Sequence, residues 1–138
     1  MPAPSRSTRQ RRAIRAIFEK INRPLGPQEV LDAVSTEVEG VGIATVYRNI
    51  KGLVEEGWLA TVELPGEPAR YERAGKAHHH HFRCLVCSSV FELPACGLNL
   101  KSLAPPGFKV TDHDVILFGS CAGCVQSGTP APAASARN

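Results

Sequence analysis

The sequence predicts an α+β chain in two parts, helices first and short strands after. Three observations carry this. Three apolar stripes at helical spacing come first, and a Pro-Gly turn between two β-prone runs follows them. Beyond Lys76 the composition changes to short apolar runs broken by His, Cys and Gly. A length of 138 residues makes one domain, or two small ones sharing a chain.

The elements follow in order. Thr8 is the expected N-cap of a first helix whose buried stripe is Ile14, Ile17, Phe18 and Ile21. Asn22-Arg23-Pro24-Leu25-Gly26 breaks it. Pro27 suits a first helical position, and Val30, Leu31, Val34 and Val38 give a second stripe. Gly40 and Gly42 precede a third helix, with Ile43, Val46, Ile50, Leu53 and Val54 facing inward and Gly57 ending it. Trp58 to Leu64 and Ala69 to Arg73 flank Pro65-Gly66-Glu67-Pro68 as a β-hairpin. In the second part, 78–82, 89–93 and 115–119 read as strands, with a short helix over 98–103. The expected organisation is a disordered basic arm (1–7), a first domain of helices and hairpin (8–74), a second, strand-containing domain (75–125) and a disordered tail (126–138).

Three short helices followed by a hairpin describe a winged helix-turn-helix. The third helix is then the reader, with Ala44, Thr45, Tyr47, Arg48 and Lys51 on its outward face. Arg can bind guanine bidentately, and Thr or Tyr can touch thymine methyls or phosphates. Charge points the same way. Residues 1–23 hold seven Lys/Arg against one Glu, while the whole chain is only +3. A solvated tail would carry the same charge, so the basic arm counts because a three-helix reader follows it. No apolar run is long enough to span a membrane, and the N-terminus has no apolar signal segment. The expected location is the cytoplasm, where five cysteines, an odd number, do not make a disulfide scaffold.

Cys84-x-x-Cys87 and Cys121-x-x-Cys124 are separated by 33 residues. Each two-residue spacer lets both thiolates face one ion, and two pairs complete a four-sulfur shell for structural zinc. A redox pair is the competitor. It wants a single CxxC at a helix N-terminus after a strand, and two matched pairs without a helix in view from the sequence do not suggest it. The run His78-His79-His80-His81 adds a second signal. On a strand, alternate side chains point to opposite faces, so His78 and His80 go one way and His79 and His81 the other. One tetrapeptide can therefore supply two separate metal sites, where a plain surface cluster would supply none.

The order GIATVYRNIKGLVEEG, a hairpin ending in Tyr71-Glu72, HHHHFRCLVC, His113 and FGSCAGC resembles the ferric uptake regulator (Fur) superfamily from about Thr8 to Cys124. The resemblance implies a homodimeric bacterial repressor. Its winged helix binds a double-stranded inverted-repeat operator, and a small α/β domain dimerises and senses metal. Tyr47 and Arg48 match the family's DNA-reading pair; Arg6 and Arg11 match basic contacts to DNA. The four paired cysteines match a structural zinc site. Glu72, His79 and His81 match a regulatory hinge site, which Glu92 can complete.

Iron- and peroxide-sensing members add a His at the start of the second helix, where this chain reads Arg23-Pro24-Leu25. The second face would join His78 and His80 to His113 and a fourth group, for which Cys96 is the candidate; Cys96 could equally be a small buried apolar residue. Three imidazoles and a thiolate favour zinc over iron or manganese. The zinc-uptake branch is therefore the expectation, although its members often carry a Cys where this chain has Ala74. An iron- or peroxide-responsive regulator using Fe(2+) or Mn(2+) is the alternative. An enzyme is not expected, and neither is a small-molecule substrate, because no HExxH or HxE zinc-enzyme signature occurs. The reader helix argues against a pure zinc-storage module.

Overall fold

A computed structural model describes residues 3–94, 96, 97, 99 and 102–132. The chain divides into two compact units, Met1–Lys76 and Ala77–Asn138. It is a mixed helix and sheet fold, as the sequence predicts.

In the first unit, helices α1 (Arg6–Lys20), α2 (Pro27–Val34) and α3 (Ile43–Glu55) precede the hairpin β1 (Leu59–Val62) and β2 (Arg70–Arg73). Ile14, Ile17, Phe18, Val30, Val34, Val46, Ile50 and Leu53 meet in one core with Leu25 and Leu59. Helix α1 begins earlier than the Thr8 cap expected. Ser5 is the cap, its hydroxyl accepting the Thr8 N–H at 3.2 Å, so Arg6 and Ser7 of the expected arm are helical. Pro27 opens α2, and the Glu29 carboxylate reaches back to the Gly26 N–H at 3.2 Å. Gly57 ends α3 with φ +78. Ile43, expected inward, is 39% exposed, because the first position of α3 has no preceding turn to cover it.

The hairpin turn places Gly66 at φ +72, with Glu67 N–H donating to Leu64 O at 3.1 Å. Pro followed by a left-handed Gly is the chemistry of a type II turn. Leu25 forms an isolated bridge to β2, exchanging hydrogen bonds of 2.8 and 2.9 Å with Tyr71. The wing is thereby tied to the helices.

The second unit is a three-stranded sheet, β3 (His80–Cys84), β4 (Val90–Leu93) and β5 (Ile116–Gly119), followed by α4 (Ala122–Ser127). The strand order is β4-β3-β5, with β3 antiparallel to β4 and parallel to β5. Strand β3 starts at His80 rather than His78, since its first rungs are His80 with Leu93 and His81 with Ile116. Helix α4 was not expected, and it takes Gln126 and Ser127 from the expected tail; six residues are too few to show a period. Gly128 closes it at φ 74. The helix expected over 98–103 involves residues 98, 100 and 101, which lie outside the described residues. Among the described residues, the buried apolar side chains of this unit are Cys84 and Val90. So small a core leaves much of its stability to other bonds.

Candidate metal centres and nucleic-acid interface

Strands β3 and β5 run parallel with Cys84 opposite Gly119, so their C-terminal ends emerge side by side. This brings Cys84-x-x-Cys87 next to Cys121-x-x-Cys124 across 33 residues of sequence. The four sulfurs all lie within 4.8 Å of one another, and Cys87 Sγ is 3.9 Å from Cys121 Sγ. A tetrahedral zinc shell with Zn–S of about 2.3 Å has edges of about 3.8 Å. The donor set fits.

Backbone amides support it. The Cys87 N–H donates to Cys84 Sγ at 3.5 Å and the Cys121 N–H at 3.3 Å. Burial pushes the Cys84 thiol up, but these amides and that of Val86 outweigh it and bring it down to about 6. Cys124 is pushed up to about 12, by burial first and then by hydrogen bonds shared with its three neighbours. Four clustered thiols cannot all ionise without a cation among them. A bound divalent ion supplies that charge.

At the other end of the sheet a second cluster forms. His80 starts β3, His78 precedes it, His113 precedes the parallel β5, and Cys96 follows the antiparallel β4. All four therefore come to one end. The ligand atoms lie within 4.8 Å of one another; His78 Nε2 is 3.1 Å from His80 Nε2 and 2.9 Å from His113 Nε2, and Cys96 Sγ is 3.3 Å from His113 Nε2. Burial, then the neighbouring His78 and His113, hold His80 below its ordinary 6.5, which favours the neutral form that a metal requires. Asp114 places Oδ1 at 3.9 Å from His80 Nδ1, and the Val115 N–H donates to Nδ1 at 3.2 Å. Sequence reasoning missed Asp114. A carboxylate next to a ligand His was the available signal.

On the opposite side, the rings of His79 and His81 pack edge to face with centroids 4.8 Å apart. The Ala77 carbonyl lies 2.8 Å from His79 Nδ1; an Nδ1–H donated there leaves the lone pair on Nε2. Glu92 is the cross-strand partner of His81. Glu72 is buried on β2, opposite Ala60 of the wing.

In the first unit, Tyr47 is 55% exposed on α3, and Arg48 beside it donates from Nη2 to Thr45 Oγ1 at 3.1 Å. A cavity of about 540 Å³ opens between this face and the hairpin, lined among others by Tyr47, Arg48, Lys51, Thr61 and Tyr71. Arg6 and Arg11 have partners within the unit. Arg6 Nη2 donates to Gly40 O at 3.1 Å, and Arg11 pairs with Glu56.

The three helices with their hairpin and the clusters of candidate metal ligands agree with a match of residues 3–118 to the ferric uptake regulator family. The chain belongs to that family. It is a metal-responsive transcription regulator of the Fur type, a family of regulators rather than enzymes. A zinc uptake regulation protein of Mycobacterium tuberculosis is 30% identical over 122 residues, covering 86% of this chain and 94% of that one. A ferric uptake regulation protein of Helicobacter pylori is 25% identical over 125 residues, covering 88% and 83%. Among solved structures, a zinc-bound manganese uptake regulator superposes with TM-score 0.71 at 27% identity, covering 85% of this Fur-family chain and 91% of that one. The Helicobacter pylori Fur structure, described as revealing three functional metal binding sites, gives 0.63 at 25% identity, covering 89% and 82%. Among the described residues, no helix is long and apolar enough to cross a membrane.

Proposed function

We propose that this chain is a zinc-responsive repressor of metal-uptake genes, acting as a homodimer on an inverted-repeat operator. The observation that carries zinc is the convergence of three imidazole Nε2 atoms and the Cys96 thiol within 4.8 Å. Zinc accepts that borderline-soft set at tetrahedral spacing, whereas iron and manganese members would want a harder one. The 30% identity to a zinc uptake regulation protein supports the same reading. An Fe(2+)- or Mn(2+)-responsive regulator is the second reading, supported by the ferric uptake relatives.

Cys84, Cys87, Cys121 and Cys124 hold a structural zinc in this proposal. His78, His80, Cys96 and His113 hold a second ion, with the Asp114 carboxylate beside the His80 ring at 3.9 Å. The sequence resemblance assigns regulation to Glu72, His79 and His81, with Glu92 as a further carboxylate. Glu72 precedes the unit division at Lys76 by four residues and His79 follows it by three. An ion drawing on both sides of that division binds one arrangement of the units better than others, and shifts the population toward it.

The reader contributes Thr45, Tyr47 and Arg48. Leu117 on the edge strand β5 is 48% exposed and Phe108 is 72% exposed, apolar surface suited to a second copy of the chain. Transcript measurements in the host test the function. Zinc starvation should raise the genes whose promoters the chain occupies, and iron starvation should not. A response to iron starvation alone would move the assignment to the iron-responsive reading.

A further inference from the structure

Helix α1 is the most basic segment of the chain, yet its charges are largely engaged inside the first unit. Arg15 stacks on Trp58 at 4.7 Å from the ring centroid, Lys20 lies 3.9 Å from Glu37, and Arg23, just beyond the helix, pairs with Glu29 at 2.8 Å. Arg6 and Arg11 have the most specific partners, and both partners flank α3. Arg6 reaches the Gly40 carbonyl in the turn leading into α3, while Arg11 pairs with Glu56, the residue that caps its C-terminus.

A glycine lies beside each of these guanidinium groups, and at the first of them a side chain would collide with it. At Gly40, with φ +75, a Cβ would come 2.5 Å from Arg6 Nη2. At Gly52, inside α3, a Cβ would lie 3.8 Å from Arg11 Nη1, so the Arg11 head sits beside bare helix backbone one turn before Glu56. A glycine in a helix interior costs roughly 1 kcal/mol relative to alanine, and here it borders a docked arginine.

We propose that Arg6 and Arg11 are positioning residues. From α1 they grip the two ends of α3 and set the angle at which Tyr47 and Arg48 are presented to DNA. This rests on α3 being the reader, and it gives the two arginines a role other than direct contact with phosphate.

The discriminating measurement uses the pair Arg11 and Glu56, because neutralising them changes net charge in opposite directions. Zinc-loaded full-length protein is titrated, at several salt concentrations, onto a duplex selected by the parent chain from random-sequence DNA. The variants are Arg11→Gln, Glu56→Gln, the double variant, and the swap of Arg11→Glu with Glu56→Arg. Arg48→Ala reports on the reader itself, and thermal melting reports on the fold.

If the pair positions α3, both single variants weaken binding in the same direction, by roughly two- to five-fold for an exposed pair. The double variant loses no more than either single one, the swap recovers affinity, and the salt slope stays that of the parent. If Arg11 instead touches phosphate, Arg11→Gln flattens the slope by about 0.9, Glu56→Gln tightens binding, and the swap recovers nothing. That pattern, or parent-like affinity in Arg11→Gln, overturns the proposal. Should Arg11→Gln fail to fold, the swap decides alone: recovery supports positioning and no recovery overturns it. Parent-like binding by Arg48→Ala removes α3 as reader, and the positioning role with it.

Discussion

Cys84 is wholly buried at the end of β3, and two cysteine amides, one after β3 and one after β5, donate to its sulfur. Its thiol is brought from the ordinary 9.0 down to about 6. A group whose folded value is depressed contributes stability that is complete above the unfolded value and is lost as pH falls through the folded one. Zinc competes with protons for the same sulfurs, so acidification should release the structural zinc and loosen the second unit together, at a pH below the metal-free value because the bound ion holds the thiolates ionised. Cys84→Ser should lose about one zinc per chain and lower the melting temperature, a structural zinc being worth on the order of 10 kcal/mol of binding free energy. Full zinc content with unchanged melting in that variant would remove the site. Cys96→Ser tests the second cluster differently: without its softest donor, the site should shift preference from zinc toward harder ions, read as the ratio of zinc to manganese affinities. The cysteine pairs could be read from sequence because a two-residue spacer is a local signal. Asp114 offered a local signal in its place next to His113, but its approach to His80 did not show, because that depends on β5 lying beside β3.

At the scale of elements, the apolar stripes located all three helices of the first unit, since burial on one face writes a 3.6-residue period into the sequence. Their ends were less legible. Ser5 displaced Thr8 as the cap because two hydroxyl residues three apart compete for the same role. The alternation of the His run held into the residues before β3. His78 lies with His80, and His79 with His81, although the ladder begins only at His80. The partners of Arg6 and Arg11 lie 34 and 45 positions away, beyond any local pattern. For the reader, Arg48→Ala should weaken operator binding by roughly 5- to 150-fold and relax base preference, the loss of a contact worth about 1–3 kcal/mol. The Thr45 hydroxyl, 3.1 Å from Arg48 Nη2, steadies that side chain in the free protein. Affinity unchanged at every salt concentration would take the reader role from α3.

At the scale of the whole molecule, a winged unit of Met1–Lys76 and a unit of Ala77–Asn138 rich in candidate metal ligands share one chain. The division could be anticipated from the change in composition after Lys76. The arrangement of the units under metal could not, because it depends on an ion the sequence does not contain. Regulation requires that ion to bind the DNA-competent arrangement more tightly than the alternatives, by the same factor through which it raises DNA affinity. The choice of ion is the central claim, and parallel titrations test it most directly. Protein retaining only its four-cysteine zinc is mixed with its selected duplex, and free Zn(II), Fe(II) and Mn(II) are raised separately under buffered, anaerobic conditions. The account predicts that zinc switches on DNA binding at the lowest free concentration, at least tenfold below the other two. Binding driven by iron or manganese at lower free concentration than zinc, or binding indifferent to all three, would contradict it.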